Sequence, residues 1–121
     1  MKKKFKKKNY IKISEKRVKI FCNLTNDKNP IHIDKKYASK TKFKGVIVPG
    51  ILIISEINKI ISKKYTGAII LDINAEYREP VLVNQRYECE YEITKKNNFY
   101  ELQSTIFKKN KNVLIKINFI Y

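Results

Sequence analysis

The chain is 121 residues long, the size of one domain with enough apolar material for a real core. Hydrophobic residues make up 43%, while Gly and Pro number three each, which excludes a disordered or low-complexity chain. The formal charge of +16 invites a nucleic-acid reading, yet arginine, the main reader of bases, occurs only at Arg17, Arg78 and Arg86.

The charge is unevenly spread. Residues 1–44 carry 16 Lys/Arg against Glu15, Asp27 and Asp34, and residues 45–121 carry 11 against 8 carboxylates. The chain is rich in Lys, Ile and Asn, the residues of A- and T-rich codons, so the lysines read first as a solvating surface. Anionic partners such as coenzyme A phosphates, an acidic carrier protein or RNA are the alternative. Cys22 and Cys89 have no metal-ligand or redox spacing and read as two buried small hydrophobes of a reduced, cytoplasmic protein. The longest apolar run, Val46 to Ile54, is broken by Pro49 and Gly50 and is no membrane span. No apolar signal core follows the basic N-terminus, which speaks against secretion.

Six of the first eight residues are lysine, so residues 1–8 are expected to form a disordered basic tail ahead of a single domain, 9–121. Tyr10–Ile13 alternates as a short strand. Ser14 is a plausible N-cap for a helix to about Asn23, with Val18, Phe21, Cys22 and Thr25 recurring at helical spacing. A turn over Asp27–His32 follows, then Asp34 as cap of a short helix, Lys35–Ser39. Thr41–Val48 reads as a loop. Pro49-Gly50 opens an apolar helix to about Lys63, with Ile53, Ile54, Ile57, Ile60 and Ile61 as its core stripe and Ile51 and Leu52 widening it.

After Gly67 the period changes to that of strands. Ala68–Asn74 is mostly apolar. Arg86–Thr94 alternates, with Tyr87, Cys89, Tyr91 and Ile93 on one face and Glu88, Glu90 and Glu92 on the other. Phe99–Phe107 and Val113–Tyr121 follow, separated by polar turns. These four strands can form an antiparallel meander with one apolar face, which the isoleucine-rich helix would cover, giving an α+β fold.

The only histidine, His32, lies five positions after Asp27. A carboxylate and an imidazole held on one short loop are the minimum apparatus for acid–base chemistry on water. Pro30 between them restricts Asn29 to extended conformations and so limits their relative movement. One His and one Asp are too few for a metal site, and none is expected.

The segment Leu24-Thr25-Asn26-Asp27-Lys28-Asn29-Pro30-Ile31-His32, then Tyr37-Ala38, then Phe43-Lys44-Gly45-Val46-Ile47-Val48-Pro49-Gly50-Ile51-Leu52, closely resembles the MaoC-like dehydratases and (R)-specific enoyl-CoA hydratases. Tyr77-Arg78-Glu79-Pro80-Val81-Leu82-Val83 resembles the aromatic–x–x–Pro–Val segment of the same family. Pro49 stands where the family commonly has His, and Asn84 where it commonly has Gly. The resemblance spans roughly residues 10–121 and implies a hot-dog fold, an antiparallel sheet wrapped around a long central helix. It also implies reversible hydration of a trans-2-enoyl thioester to an (R)-3-hydroxyacyl thioester in fatty acid metabolism. The substrate would be carried on coenzyme A or acyl carrier protein, with no other cofactor.

On that reading Asp27 is the base. An ordinary carboxylate is a weak one, so the role needs it drawn partly out of water. His32 holds the same water and relays the proton. Gly50 is the oxyanion donor, since a residue without Cβ at a helix N-terminus leaves its N–H open to a thioester oxygen. Asn29 hydrogen-bonds across the loop, and Asn58, one turn beyond Ile54, is the position where the family often places a small polar residue in the site. A homodimer joined edge to edge is expected. The alternatives are a non-catalytic acyl-thioester binder on the same fold, a thioesterase and, ranked third, a nucleic-acid or anionic-membrane binder using the lysine tail.

Overall fold

The computed structural model describes residues 4–121. Strand β1 (Lys4–Lys12) is followed by helices α1 (Glu15–Thr25), α2 (Pro30–Ile33), α3 (Lys35–Ser39) and α4 (Gly50–Lys64), then strands β2 (Ile69–Tyr77), β3 (Arg86–Lys95), β4 (Tyr100–Phe107) and β5 (Lys111–Ile120). The strands form one antiparallel sheet in the order β1-β3-β4-β5-β2.

The inner face of the sheet is the alternating set read from the sequence. Tyr87, Cys89, Tyr91 and Ile93 of β3 and Val113, Ile115, Ile117 and Phe119 of β5 are buried, joined by Leu102 and Ile106 of β4. Leu52, Ile53, Ile57 and Ile61 of α4 pack into the same core, with Val18 and Cys22 of α1 at its side. Removing each such aliphatic side chain from water contributes roughly 2 kcal/mol. Ile51 does not belong to this set: it is 64% exposed, because at the second position of α4 it points away from the sheet. Both cysteines are buried and free.

Two expectations about the sheet are corrected. Lys4–Lys8 is not a disordered tail but the first half of β1, paired with β3 from Lys4 opposite Thr94 to Lys12 opposite Arg86; residues 1–3 lie outside the described residues. Within the lysine run, Lys8 stands opposite Glu90 of β3, with Nζ 3.7 Å from its carboxylate. The second correction concerns β2. Only β3, β4 and β5 form a meander; β2 pairs with β5 and lies at the far edge.

The connection from β2 to β3 therefore crosses the sheet. It is anchored on the way, with Val48 N–H donating to Val81 O at 2.8 Å, Val83 N–H to Val46 O at 3.1 Å and Asn84 N–H to Ile13 O at 2.8 Å. Asn84 has φ +63°, a left-handed conformation that asparagine tolerates better than most side chains, and its Oδ1 accepts from Glu15 N–H.

Candidate active site

The loop between α1 and α2 is held by short-range hydrogen bonds that its sequence dictates. Asn26 closes α1 in the left-handed conformation, φ +57°, and Asp27 N–H reaches back to Cys22 O at 2.9 Å. The Asp27 carboxylate accepts from Asn29 N–H at 3.1 Å. Asn29 Oδ1 in turn accepts from Ile31 N–H at 3.2 Å and caps α2, whose first residue is Pro30. The turn expected at Asp27–His32 thus contains a one-turn helix, and Asn29 does bond within the loop.

His32 leaves this helix facing the segment that precedes α4. Its Nδ1 lies 2.6 Å from Ile47 O, while Ile47 N–H donates to Ile31 O at 3.1 Å. A carbonyl oxygen only accepts, so Nδ1 carries a proton in this contact. In the neutral ring Nε2 is then the free nitrogen, able to accept a proton from water.

Gly50 begins α4 directly after Pro49. Leu52 N–H bonds to Pro49 O at 3.0 Å, and the N–H of Gly50, first of the helix, has no intrahelical acceptor. The reason for glycine here is steric. A Cβ would lie 2.5 Å from Cζ of Tyr77, whose ring packs directly on the Gly50 backbone. Burial pushes the Tyr77 phenol above its ordinary range, so it stays protonated and able to donate at neutral pH.

His32 and Gly50 line one cavity of about 470 Å³, together with Phe43, Tyr77, Pro80 and Val81. That volume is within the range of small-molecule sites. Lys42 and Arg78 also line this cavity; Lys42 Nζ lies over the Phe43 ring at 5.2 Å, and Arg78 Nε donates to Glu76 at 3.0 Å.

The other proposed site residues fall elsewhere. Asp27 is half-buried and lines a separate pocket of about 270 Å³ with Cys22, Asn23, Lys28 and Ile33. The Cys22 thiol is pushed up, first by burial and then by the Asp27 charge, which places the carboxylate beside it. Asn58 lies two turns along α4 from Gly50 and does not line the His32 cavity; its Oδ1 is buried without a hydrogen-bond partner. Tyr77, Phe43 and Val81 received no role from the sequence, although the Tyr77–Pro80–Val81 spacing was the signal that marked their segment. Among the described residues no three His, Cys, Asp or Glu side chains cluster as a metal site. No helix among them is long and apolar enough to cross a membrane.

Residues 1–113 match the sequence profile of the family described as MaoC like domain. The chain is 32% identical over 79 residues to the (R)-specific enoyl-CoA hydratase of Aeromonas caviae, covering 64% of this chain and 59% of that protein. It is 31% identical over 70 residues to a mitochondrial 3-hydroxyacyl-[acyl-carrier-protein] dehydratase of Arabidopsis thaliana, covering 58% and 42%. The matched segment thus spans about half the length of these curated relatives. The solved structure of the (R)-hydratase from A. caviae involved in PHA biosynthesis superposes with a TM-score of 0.86 at 24% identity, over 96% of this chain and 93% of that one. The wrapped-helix architecture is accordingly the hot-dog fold.

Proposed function

Because the chain belongs to the MaoC-like domain family, we propose that it is a hydro-lyase of acyl thioesters, interconverting a trans-2-enoyl thioester and water with the (R)-3-hydroxyacyl thioester. The observation that carries this reading is the shared cavity of His32 and Gly50. Water adds its oxygen to C3 and C2 gains a proton, while negative charge collects on the thioester oxygen. In hydration the free Nε2 of His32 takes the water proton and delivers it to C2; dehydration runs the same transfer in reverse. The N–H of Gly50 meets the thioester oxygen, aided by the positive end of α4, and the protonated Tyr77 phenol stands beside it. Lys42 and Arg78 are suited to the phosphates of a coenzyme A or acyl-carrier-protein arm entering the cavity. Fatty acid metabolism in the cytoplasm is the setting this chemistry suits.

The protein acts as a homodimer. Strand β2 ends the sheet with Ile69, Leu71, Ile73 and Tyr77 between 44% and 61% exposed, an apolar edge suited to a second copy of this chain. Tyr77 belongs both to this edge and to the cavity, so the partner would close the site.

Asp27, the base expected from the sequence, would share the water proton with His32 where bound substrate joins its pocket to the cavity. The test is the loss of enoyl-thioester absorbance on hydration of short- and medium-chain substrates on both carriers. His32→Ala should remove at least about 99% of the rate, as expected for a lost general acid–base group. Equal loss in Asp27→Asn means that substrate joins the two pockets; unchanged rates in both variants would sink the mechanism. The separate pocket of Asp27 favours one alternative, an acyl-thioester binder without turnover, which predicts tight binding of enoyl thioester with unchanged absorbance.

A further inference from the structure

The two faces of β1 use lysine differently. On the outer face Lys8 meets Glu90, and Tyr10 is covered by the Arg86 guanidinium 4.1 Å above its ring. Lys7, Asn9 and Ile11 alternate to the inner face, where their register partners on β3 are the buried Tyr91, Cys89 and Tyr87. Between this inner face and the second half of α4 runs a groove of about 530 Å³. Lys7 lines it from the strand; Lys59, Lys63 and Lys64 line it from the helix.

The one carboxylate among the described lining residues, Glu56, is already engaged by Arg17 and by Lys59 at 3.2 Å. Lys7 and Lys63 have no carboxylate partner among the described residues. Half-buried Ile11 and Ile60 supply apolar surface in the same groove. It shares no lining residue with the His32–Gly50 cavity and lies at the opposite edge of the sheet.

We propose that this groove is a second binding site, for an organic phosphate with an apolar body. Ammonium groups are compact point charges that hold phosphate well, and several converging on one concavity raise the local concentration of anions. Two ordinary roles exist for these lysines: last-turn lysines offset the C-terminal helix dipole, and edge-strand lysines deter pairing with other chains. Both roles are fulfilled by side chains that end in open solvent. Neither asks a strand lysine and helix lysines to line one groove with isoleucine between them.

A phosphate of this kind is either free in solution or the head of a lipid. Isothermal titration with hexyl phosphate and co-sedimentation with phosphatidylcholine vesicles containing phosphatidic acid separate the two sources. Hexyl phosphate should bind saturably, one per chain, and more tightly than inorganic phosphate. The exposed pair Lys7→Glu and Lys63→Glu should weaken binding about tenfold, as loss of converging charges does. The charge-matched pair Lys16→Glu and Lys116→Glu, away from the groove, should leave it unchanged. Vesicle binding that disappears with the groove pair identifies a lipid source, and hexyl phosphate binding alone a free one; both support the site. Equal weakening in the two charge-matched pairs, or no saturable binding of either probe, overturns it.

Discussion

The two edges of the sheet are built in opposite ways. Strands β1 and β2 each have nine residues, each pairs on one side only, and each leaves part of its inner face exposed beside α4. At β1 the uncovered inner residues include Lys7 and Asn9, which water or an anion can satisfy. At β2 they include Ile73 and Tyr77, 44% and 48% exposed and opposite the buried Ile117 and Val113 of β5. An apolar strand left open on its edge invites pairing, whereas lysine on an edge prevents it. The difference teaches why the proposed homodimer would join at β2 and not at β1.

The largest effect is expected from making β2 resemble β1. Ile73→Lys should halve the mass measured by analytical ultracentrifugation. It should also lower enoyl-thioester turnover at least about tenfold, since the cavity lined by Tyr77 loses its neighbour. Lys12→Ile on β1 should leave the mass unchanged. A wild-type mass for Ile73→Lys would remove β2 as the joining edge.

Next in size is an alkaline effect on the β1 side. Cys89 pairs in register with Asn9, and its thiol is pushed from 9.0 up to about 11, by burial first and the Glu90 charge second. Below pH 9 the thiol is neutral in both folded and unfolded chains, and the full benefit of burying it is kept. Above pH 9 the unfolded chain ionises first, so stability falls until the folded thiol also ionises near pH 11. Two units correspond to about 3 kcal/mol. Urea melts at pH 8 and pH 11 should differ by at least that order, and Cys89→Ala should reduce the difference, the remainder coming from the raised Cys22 thiol and the raised phenols of Tyr65, Tyr77 and Tyr91.

The third test joins β2 to the cavity. Gly50→Ala should cost about 1–3 kcal/mol, because the new Cβ meets the Tyr77 ring at 2.5 Å. Without that ring alanine is the better helix former, so Tyr77→Ala in the same chain should recover most of the loss. A double-mutant cycle by chemical denaturation measures the coupling. Additive losses would show that the glycine is required by something other than the ring.

These contrasts also explain what could be read from the sequence. The alternation of Tyr87 to Ile93 and of Val113 to Phe119 gave two strands and their buried faces correctly, because a one-face-buried strand writes its register in a period of two. Ser14 and Asp34 announced helix starts through their own side chains, and each does cap; Asn29, read only as a bond across the loop, proves to be the cap of α2. The edges were not legible. The apolar run of β2 resembles that of a core strand, and what makes it an edge is its pairing with β5, about 40 residues later. The lysines of β1 resemble a solvated tail until the glutamates of β3 are set beside them. In the site, the Asp27–His32 spacing told that both share a loop, not which pocket each faces. That direction is set by Asn29 N–H on one side and Ile47 O on the other. Tyr77 against Gly50 is a contact between chain-distant residues that no local pattern records.

The smallest effect is expected where β1 meets β3. Lys8 and Glu90 are 67% and 43% exposed at the side chain, so water screens their 3.7 Å pair and salt screens it further. Lys8→Glu sets two carboxylates side by side at this edge and should destabilise by less than about 1 kcal/mol at low salt. Raising the salt to about 1 M, where charges are screened within a few ångströms, should erase most of the change. Lys8→Gln, which removes the attraction without adding repulsion, should fall between the two. If instead Lys8→Glu cost several kcal/mol and resisted salt, β1 would be held by that pairing. The expected small, salt-sensitive loss means that β1 is held by its backbone ladder and by half-buried Ile11. Its lysines then act on what approaches the edge rather than on the fold, and it is this freedom that leaves Lys7 available to the groove beside α4.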